Sequence, residues 1–396
     1  MRRASAIIIA LALVAAACAD TGPTVGPNGP DGTPATSVEP GQSAEAVATP
    51  PPTPAPTPTP VPASELAAAT LADTTFKATA DITARTTLGS TKSTTTAKVD
   101  IDGRTTHMVR TIKTGKNAAK VETITGNGTR YLKQKGVWTK AGDADNTELI
   151  AILRAIPSMT DLGVEDKDGA QLHHLQATTV PGVPRELELA GKGVSDVSNT
   201  LDLWVTDDGT PVSATLVTTW KQKIDKKTVD GKRTAQIVFS DVGGDVTVTV
   251  PTDIWAFFNS TRNDYRMGHP ADWTAKKGNA RTMDSFNGGD LYAYAGRARA
   301  SNVTLKFITG KILGELRSIT DYTSLKITSN RSYRLDGVPA RRIEFRGITG
   351  GSKVYGQAVY AIKGGFWYFV GFDEFEKTSK ATRDLFTRML KTFDFR

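Results

Sequence analysis

The sequence predicts an α+β protein in which an antiparallel half-barrel with inserted helices is followed by a smaller α+β antiparallel sheet domain. Three observations predict this fold class. Apolar and polar residues alternate along many short runs, as half-buried strands require. Asn-Gly, Asp-Gly and Gly-Gly pairs separate several of these runs, as hairpin turns do. Helical spacing of apolar residues occurs in only a few segments.

The N-terminus predicts export. Arg2 and Arg3 precede an uncharged, mostly apolar run over residues 4–17. This run is shorter than the roughly 20 residues of a membrane-spanning helix, so residues 1–18 are predicted to be a signal peptide. The small residues before Cys18, the single cysteine, resemble the bacterial lipobox, although Ala15 stands where a Leu is usual. The resemblance implies a lipid on Cys18; the alternative is ordinary cleavage that leaves a soluble protein.

Residues 19–63 are predicted to be a disordered linker. They consist mainly of Gly, Pro, Thr, Ser and Ala, with no Lys, Arg or aromatic residue. Such a segment buries too little apolar surface to offset the backbone entropy lost on folding. Its prolines favour an extended polyproline II spacer. A spacer of this kind would hold the folded domains away from an anchoring membrane.

Residues 64–252 carry mainly strand patterns. A short helix is expected at Glu65–Leu71, capped by Ser64, and the alternation of residues 76–84 then predicts a strand. Turns at residues 126–128 and 207–209 predict hairpins. A second helix is expected at Thr147–Ile156, capped by Asn146 or Thr147, and a further helical or irregular stretch near residues 183–190. Strands at residues 237–239 and 246–250 are expected to close the domain.

These few helices must cover many strands. A curled half-barrel with the helices inside its concave face satisfies this requirement and leaves an apolar hollow between sheet and helices. The predicted lining comprises Ile82, Ile124, Leu149, Ile150, Leu153, Ile156, Leu203 and Leu216. The same residues are equally consistent with an ordinary closed core. Trp138, Trp204 and Trp220 are further candidates for the lining or for core packing.

Two stretches of this domain resemble the LolA/LppX-type lipoprotein-carrier superfamily. They are residues 124–131, followed by Gly136-Val-Trp138, and the strand and acidic-Gly turn at residues 201–212. The resemblance implies a half-barrel whose apolar cavity holds the acyl chains of a lipid or lipoprotein. It implies no catalytic residue.

Residues 253–396 predict a second domain, with residues 253–261 as the junction. Strands are expected at residues 265–267, 290–295, 303–308, 325–328, 340–345, 354–362 and 366–372. Helices are expected at residues 311–322 and, after a Thr378 or Ser379 cap, at the C-terminus, both on one side of the sheet. Residues 265–273, 335–345 and 389–393 resemble the PsbP/Mog1-like family. That resemblance implies an accessory or binding role without common chemistry.

No motif indicates an enzyme. The histidines, His107, His173, His174 and His269, lack the spacing of a metal site, and we expect them to be surface or hydrogen-bonded residues. No nucleophile elbow, P-loop or nucleotide-binding turn occurs. The sequence therefore predicts no catalytic residue, no metal site and no cofactor.

Composition limits the partners. The net charge of +8 suits an anionic lipid surface or cell-wall polymer, or only solubility. No basic block with interleaved aromatic residues indicates nucleic acid. We expect a lipoprotein on the extracytoplasmic side of the cell membrane that binds or transports lipid acyl chains. The alternatives are a non-enzymatic assembly or envelope-protein-binding lipoprotein without a lipid cavity, and a hydrolase of envelope material.

Overall fold

A computed structural model describes residues 61–144, 148–187, 193–224, 226–279, 283–300, 303–318, 322–349, 351–375 and 379–396. The chain divides into two compact units, Met1–Pro60 and Val61–Arg396. All described residues belong to the second unit. Cys18, the predicted signal peptide and almost all of the predicted linker lie outside the described residues.

The described part of the chain is mostly β-structure with short helices. The helices are α1 (Ala63–Ala72), α2 (Leu149–Arg154), α3 (Leu305–Ser318) and α4 (Lys380–Thr392). The strands are β1 (Lys77–Leu88), β2 (Thr91–Asp102), β3 (Thr105–Thr114), β4 (Asn117–Gly126), β5 (Thr129–Gln134), β6 (Val137–Asp143), β7 (Thr160–Lys167), β8 (Ala170–Ala177), β9 (Val194–Val205), β10 (Pro211–Ile224), β11 (Lys227–Ser240), β12 (Ile254–Ser260), β13 (Tyr265–Pro270), β14 (Thr274–Lys276), β15 (Asp284–Gly288), β16 (Leu291–Arg299), β17 (Tyr322–Leu335), β18 (Val338–Thr349), β19 (Ser352–Lys363), β20 (Phe366–Phe375) and β21 (Asp394–Phe395).

The strands form two open sheets. The first has the order β21-β13-β12-β6-β5-β4-β3-β2-β1-β11-β10-β9-β8-β7, and the second has the order β14-β15-β16-β20-β19-β18-β17. Neighbouring strands are antiparallel except β6 and β12, which run parallel. The sheets agree with the predicted α+β class, and both predicted hairpins are confirmed. The half-barrel curvature stays a prediction.

The helices differ from the predictions mainly at their ends. Helix α1 forms, but its N-cap is Pro62, so the predicted Ser64 cap is wrong. Helix α2 is shorter than predicted, and its predicted caps lie outside the described residues. A 3-10 turn at Arg185–Leu187 occupies the stretch predicted to be helical or irregular. Helix α4 begins as predicted, because the Ser379 hydroxyl accepts a hydrogen bond from Thr382 N at 3.0 Å.

The strand predicted at residues 303–308 is wrong, because α3 begins at Leu305. Leu305, Ile308, Ile312 and Leu316 recur every three or four residues, which favours a helix over a strand. Helix α3 is also the longest helix of the described residues. None of these helices is both long and apolar enough to cross a membrane.

One strand prediction near the junction is also wrong. Residues 246–250 form no strand and run as an extended segment, in which Val248 N donates to the carboxylate of Asp102 instead of to a neighbouring strand. The predicted junction, residues 253–261, contains β12, whose apolar and aromatic residues pair with β6 and β13. The first sheet therefore includes strands from both sides of the predicted boundary at residue 252. The boundary itself stays a prediction.

The second sheet carries a helix on each face. Helix α4 packs with Val370 and Phe372 in one core, whereas α3 packs with Ile343 and Phe345 in another. On β18–β20 these two sets alternate, so they lie on opposite faces. The expectation that both helices cover one side is therefore wrong. The four strands predicted between residues 325 and 372 are confirmed as β17–β20.

Candidate functional site

The strongest candidate site is the helix-covered side of the first sheet, here called the inner face. Its side chains form one apolar core with residues of α1 and α2. The strand members are Ala78, Ala80, Ile82, Ala84, Ala97, Val99, Ile101, Met108, Leu175, Ala177, Leu201, Leu203, Val205, Ala214, Leu216, Ala235, Ile237 and Phe239. The helix members are Ala63, Ala67, Leu71, Leu149, Ile150 and Leu153. Two short helices thus cover seven neighbouring strands of the sheet, from β3 through β1 and β11 to β8.

Alanine lines much of the inner face. Seven of its buried strand positions are alanines: Ala78, Ala80, Ala84, Ala97, Ala177, Ala214 and Ala235. Pairing aligns some of them in one row, since Ala84 lies opposite Ala235 across β1 and β11. A side chain of one carbon fills little of the space between a sheet and its cover. The covering segments must therefore approach very closely or leave room for other apolar groups.

The structure brings most of the predicted lining together. Ile82, Leu203 and Leu216 from the strands join Leu149, Ile150 and Leu153 of α2 in this core. Ile156 is half-buried and packs against it. These seven residues thus lie at one place in the fold. Their role in holding a ligand stays a prediction.

The face predicted for Ile124 is wrong. Ile124 on β4 pairs with His107, which pairs with Asp100 and through it with Thr79 on β1. Paired residues share a face, and Thr79 points away from the neighbouring Ala80 of the inner face. Ile124 is buried on the opposite side of the sheet.

Helix α2 is fixed at both ends. The guanidinium of Arg154 donates to the carbonyl oxygens of Leu71 at 2.6 Å and Asp73 at 2.7 Å, so the ends of α1 and α2 are joined. At the other end, Leu149 N donates to Glu186 Oε2 at 3.0 Å. These bonds satisfy backbone groups that a helix end would otherwise leave without partners.

Glu186 is the most unusual ionisable group of the site. Its side chain is buried beside α2, with 1% of the residue exposed. Burial raises the pKa of Glu186 to about 7, against the opposing effect of hydrogen bonds from its own N–H and that of Leu149. Near neutral pH the carboxyl group therefore carries only part of a negative charge.

A polar row borders the alanine-lined surface. Thr86, Arg233, Thr218 and Asn199 pair across β1, β11, β10 and β9, and all four are buried. Arg233 Nε donates to Thr86 Oγ1 at 2.7 Å, and Arg233 Nη1 donates to the carbonyl of Leu187. Thr218 Oγ1 donates to Asn199 Oδ1 at 2.8 Å. The inner face therefore changes from apolar to polar along the strands.

Trp220 lies beyond this row, on β10. Its ring covers Gly231, where a Cβ atom would lie 2.1 Å from a ring carbon, so only glycine fits beneath it. The Arg233 guanidinium lies 5.8 Å from the ring centre. The indole Nε1 is buried and has no hydrogen-bond partner in the described part of the chain. Trp138 and Trp204 occupy strand positions on the opposite face of the sheet. Of the three tryptophans predicted as candidates for the lining, only Trp220 lies on the inner face.

Two further arginines lie near Glu186. Arg110 on β3 donates from Nη1 to the carbonyl of Arg185 at 2.6 Å, and its charge opposes the rise in the pKa of Glu186. Arg185 Nε lies 3.9 Å from Glu148 Oε1, which also accepts a hydrogen bond from Thr125. Three arginines thus surround the 3-10 turn that carries Glu186. Arg185 belongs to the turn, and Arg110 and Arg233 donate to its carbonyl groups.

The histidines have partners. His107 lies 3.4 Å from Asp100, His173 lies 3.2 Å from Asp161, and His174 lies 3.1 Å from Asp202. His269 Nδ1 lies 2.8 Å from the Pro270 carbonyl oxygen. Over the residues that the structure describes, no group of three or more His, Cys, Asp or Glu side chains is arranged to hold a metal ion.

Sequence reasoning missed the polar part of this site. Arg233 occupies the next inward position after Ala235, Ile237 and Phe239 in the alternation of β11. Its position in this alternation could have indicated that Arg233 is buried on the same face as these apolar residues. Arg110 and Glu186 carried no comparable signal, because their burial depends on segments distant in sequence.

Comparison with known proteins identifies no family. No protein-family model matches the sequence, and no curated protein matches it. Solved structures give similarities at low identity. The cyanobacterial PsbP of Synechocystis is 14% identical and matches 39% of this chain and 98% of its own, with a TM-score of 0.32.

Two other solved structures are also similar. LprF from Mycobacterium bovis is 16% identical and matches 48% of this chain and 96% of its own, with a TM-score of 0.29. The MucA/MucB complex of Pseudomonas aeruginosa is 9% identical and matches 84% of this chain and 99% of its own, with a TM-score of 0.22. Such low identities and TM-scores establish neither a family nor a function.

Replacing Glu186 tests the electrostatics of the site. The folded state raises the pKa of Glu186 above its unfolded value of about 4.3. The wild-type protein should therefore lose stability as pH rises from about 4.3 to 7, by on the order of 3 kcal/mol in total. Glu186→Gln keeps an acceptor for Leu149 N and should remove this loss, so the variant gains most above pH 7. Urea unfolding between pH 4 and 8 measures it.

The matched control is Glu65→Gln on α1, which makes the same substitution at an exposed position. Some slope should persist in Glu186→Gln, because burial also raises the pKa of Asp373 to about 7. A Glu186→Gln variant with the full wild-type slope would show that Glu186 ionises normally in the folded protein.

Proposed function

We propose that this protein is a membrane-anchored extracytoplasmic lipoprotein that binds lipid acyl chains between the inner face of its first sheet and the segments covering it. The observation that carries the proposal is the alanine lining of that face beneath two short helices. The proposed function is non-enzymatic binding or transport. We further propose that residues 64–252 form a LolA/LppX-like domain and residues 253–396 a PsbP/Mog1-like domain.

Acyl chains suit this surface chemically. Most of the inner-face core side chains are aliphatic, and the surface they form is continuous from α1 and α2 to β8. Each methylene group moved from water to such surroundings contributes about 0.8 kcal/mol before ordering costs. A chain of ordinary length therefore needs no specific polar contact to bind.

Half-buried apolar residues mark the edge of this core. Ile156, Met159, Val180, Val183 and Val242 pack against it while remaining partly exposed. Ile156 and Met159 follow α2 directly, and Val180 and Val183 precede the 3-10 turn. An acyl chain entering along these residues would exchange water for apolar contacts at every step. This edge is the proposed entrance.

The anchor belongs to the proposal as well. A diacylglyceryl group on Cys18 and the Pro/Thr-rich residues 19–63 would place the binding site outside the membrane but near it. Two or more acyl chains bury enough methylene groups for stable anchoring. The anchored protein could then take up or deliver a lipid at that surface.

One observation favours protein binding as a second candidate function. Strand β7 is an edge of the first sheet and is almost entirely exposed, with Leu162 and Val164 each 53% exposed. An exposed edge strand can accept an added strand from a partner. In that case the inner face would be an ordinary closed core.

Substitution of Ala235 separates these two candidates. If the inner face holds acyl chains, Ala235→Leu should occupy part of their space without destabilising the protein. Displacement of about two methylene groups should weaken binding by roughly tenfold. A fluorescent fatty-acid titration and a urea unfolding curve provide the two readouts.

The matched control is Gln236→Leu, which adds an apolar side chain at the next, outward-facing position of β11. It should leave probe binding unchanged. If the inner face is instead a closed core, Ala235→Leu should destabilise the protein by about 1–3 kcal/mol through overpacking. That destabilisation, together with a wild-type protein that binds no probe, would contradict the proposal.

The anchor has its own test. In the native bacterial host the wild-type protein should fractionate with the membrane and enter the detergent phase of a Triton X-114 partition. Cys18→Ala should release it into the aqueous phase, because the thioether-linked lipid cannot form. Metabolic labelling with an alkyne fatty acid should mark the wild type and not the variant. An unlabelled, aqueous wild-type protein would exclude lipidation of Cys18.

A further inference from the structure

The inner face carries two arginines that form no ion pair with any described residue, Arg233 in the polar row and Arg110 on β3. Arg233 is 7% exposed and donates hydrogen bonds to the hydroxyl of Thr86 and the carbonyl of Leu187. Arg110 donates to the carbonyl of Arg185. Within the described residues, neither guanidinium forms an ion pair with a carboxylate. Neutral acceptors satisfy some of their donors but leave their charges without a compensating partner.

The two arginines also act on each other. Burial, and secondarily the charge of Arg110, lowers the pKa of Arg233 to about 10. Glu186 interacts with the charge of Arg110, but burial leaves its carboxyl group only partly ionised near neutral pH. The region therefore has an excess of positive charge in surroundings that screen charge poorly.

Two buried donors on the inner face lack acceptors. Trp220 Nε1 and Arg110 Nε are both buried and have no hydrogen-bond partner among the described residues. Trp220 is 4% exposed, and its ring lies beside the Arg233 guanidinium. A buried donor left without an acceptor costs about 1–3 kcal/mol. An anionic group beside Trp220 could accept a hydrogen bond from its Nε1 and compensate the charge of the neighbouring Arg233.

The position of these groups identifies the chemistry of the anion. Arg233 lies one inward-facing position from Ala235 along β11, and the Trp220–Gly231 pair lies one position further. A ligand with its chains on the alanine-lined surface would therefore place its polar end against Arg233 and Trp220. Guanidinium groups bind the oxygens of phosphate particularly well, through charge-assisted and often paired hydrogen bonds.

We infer that Arg233 and Trp220 bind the phosphate headgroup of the lipid whose acyl chains occupy the inner face, and that Arg110 adds to the positive charge around it. This inference rests on the proposed function and adds the ligand class, a phosphate-bearing lipid. Arg233 and Arg110 supply the charge, and Trp220 Nε1 supplies a neutral donor. The alanine-lined surface supplies affinity for the chains without regard to the headgroup.

Binding of two lipids with identical chains tests the inference. The full-length protein carrying Cys18→Ala is titrated with dilauroyl phosphatidic acid and with dilauroyl glycerol, which lacks the phosphate. The protein should prefer phosphatidic acid by at least about tenfold, as a charge-assisted hydrogen bond provides. Arg233→Gln should abolish this preference, so that the variant binds the two lipids equally.

Two variants serve as controls. Lys232→Gln removes the same charge from the adjacent, exposed position of β11 and should retain the preference, which excludes an effect of net charge. Trp220→Phe keeps an aromatic ring near Gly231 but removes the N–H donor together with part of the indole, so it should weaken phosphatidic acid binding more than diacylglycerol binding. This variant also tests the inference if Arg233→Gln fails to fold.

A ligand without chains separates this inference from the proposed function. Thermal unfolding is measured with sn-glycerol 3-phosphate and with glycerol. If only phosphatidic acid binds, the headgroup of a lipid is the source of the phosphate. If glycerol phosphate stabilises the wild type and not Arg233→Gln while neither lipid binds, the phosphate site stands and the lipid-binding function is wrong. Equal binding of the two lipids, with no stabilisation by glycerol phosphate, would overturn the inference.

Discussion

The inner face of the first sheet must be covered, and the chain provides little helix to cover it. Helices α1 and α2 contribute 10 and 6 residues, whereas the strands beneath them extend from β8 to β3. The alanines of the inner face determine how this mismatch is resolved. Small side chains permit either a very close approach of the cover or a space that apolar ligands can fill. The positions of the remaining groups depend on this constraint.

Polar contacts hold the cover in place. Arg154 joins the ends of α1 and α2, and Glu186 accepts a hydrogen bond from the first turn of α2. Burial of Glu186 carries an energetic penalty at neutral pH, since its ionised form is disfavoured there. The same burial leaves the positive charge of Arg110, which acts on Arg233, incompletely compensated. The structural support of the cover and the proposed phosphate site are therefore linked through one carboxyl group.

Local sequence patterns predicted much of this fold. The alternation in β1 and the turn at residues 207–209 correctly indicated strands and a hairpin, because both signals depend on neighbouring residues. Residues 303–308 were assigned to a strand because a short apolar run is compatible with either strand or helix. The parallel pairing of β6 with β12 joins residues over a hundred positions apart. No local pattern encodes such a contact.

The apolar residues of the candidate site could largely be predicted from the sequence, whereas the contacts of its buried arginines could not. Helical spacing identified Leu149, Ile150 and Leu153, and alternation identified Ile82 and Leu203. The face of Ile124 is predicted wrongly because the turn at residues 126–128 identifies a hairpin only. It does not show which of the alternating residues of β4 point toward the helices. Burial of the arginines depends on the 3-10 turn that follows β8, and sequence alone did not place that turn against β11.

Native mass spectrometry tests the central claim most directly. The full-length Cys18→Ala protein would be purified from a lipid-containing bacterial host without detergent, and its mass compared under native and denaturing conditions. Our account predicts an additional mass in the native spectrum that is released on denaturation and is identified as a phosphate-bearing diacyl lipid by extraction. Identical native and denatured masses, from a protein that also takes up no lipid offered in vesicles, would contradict it.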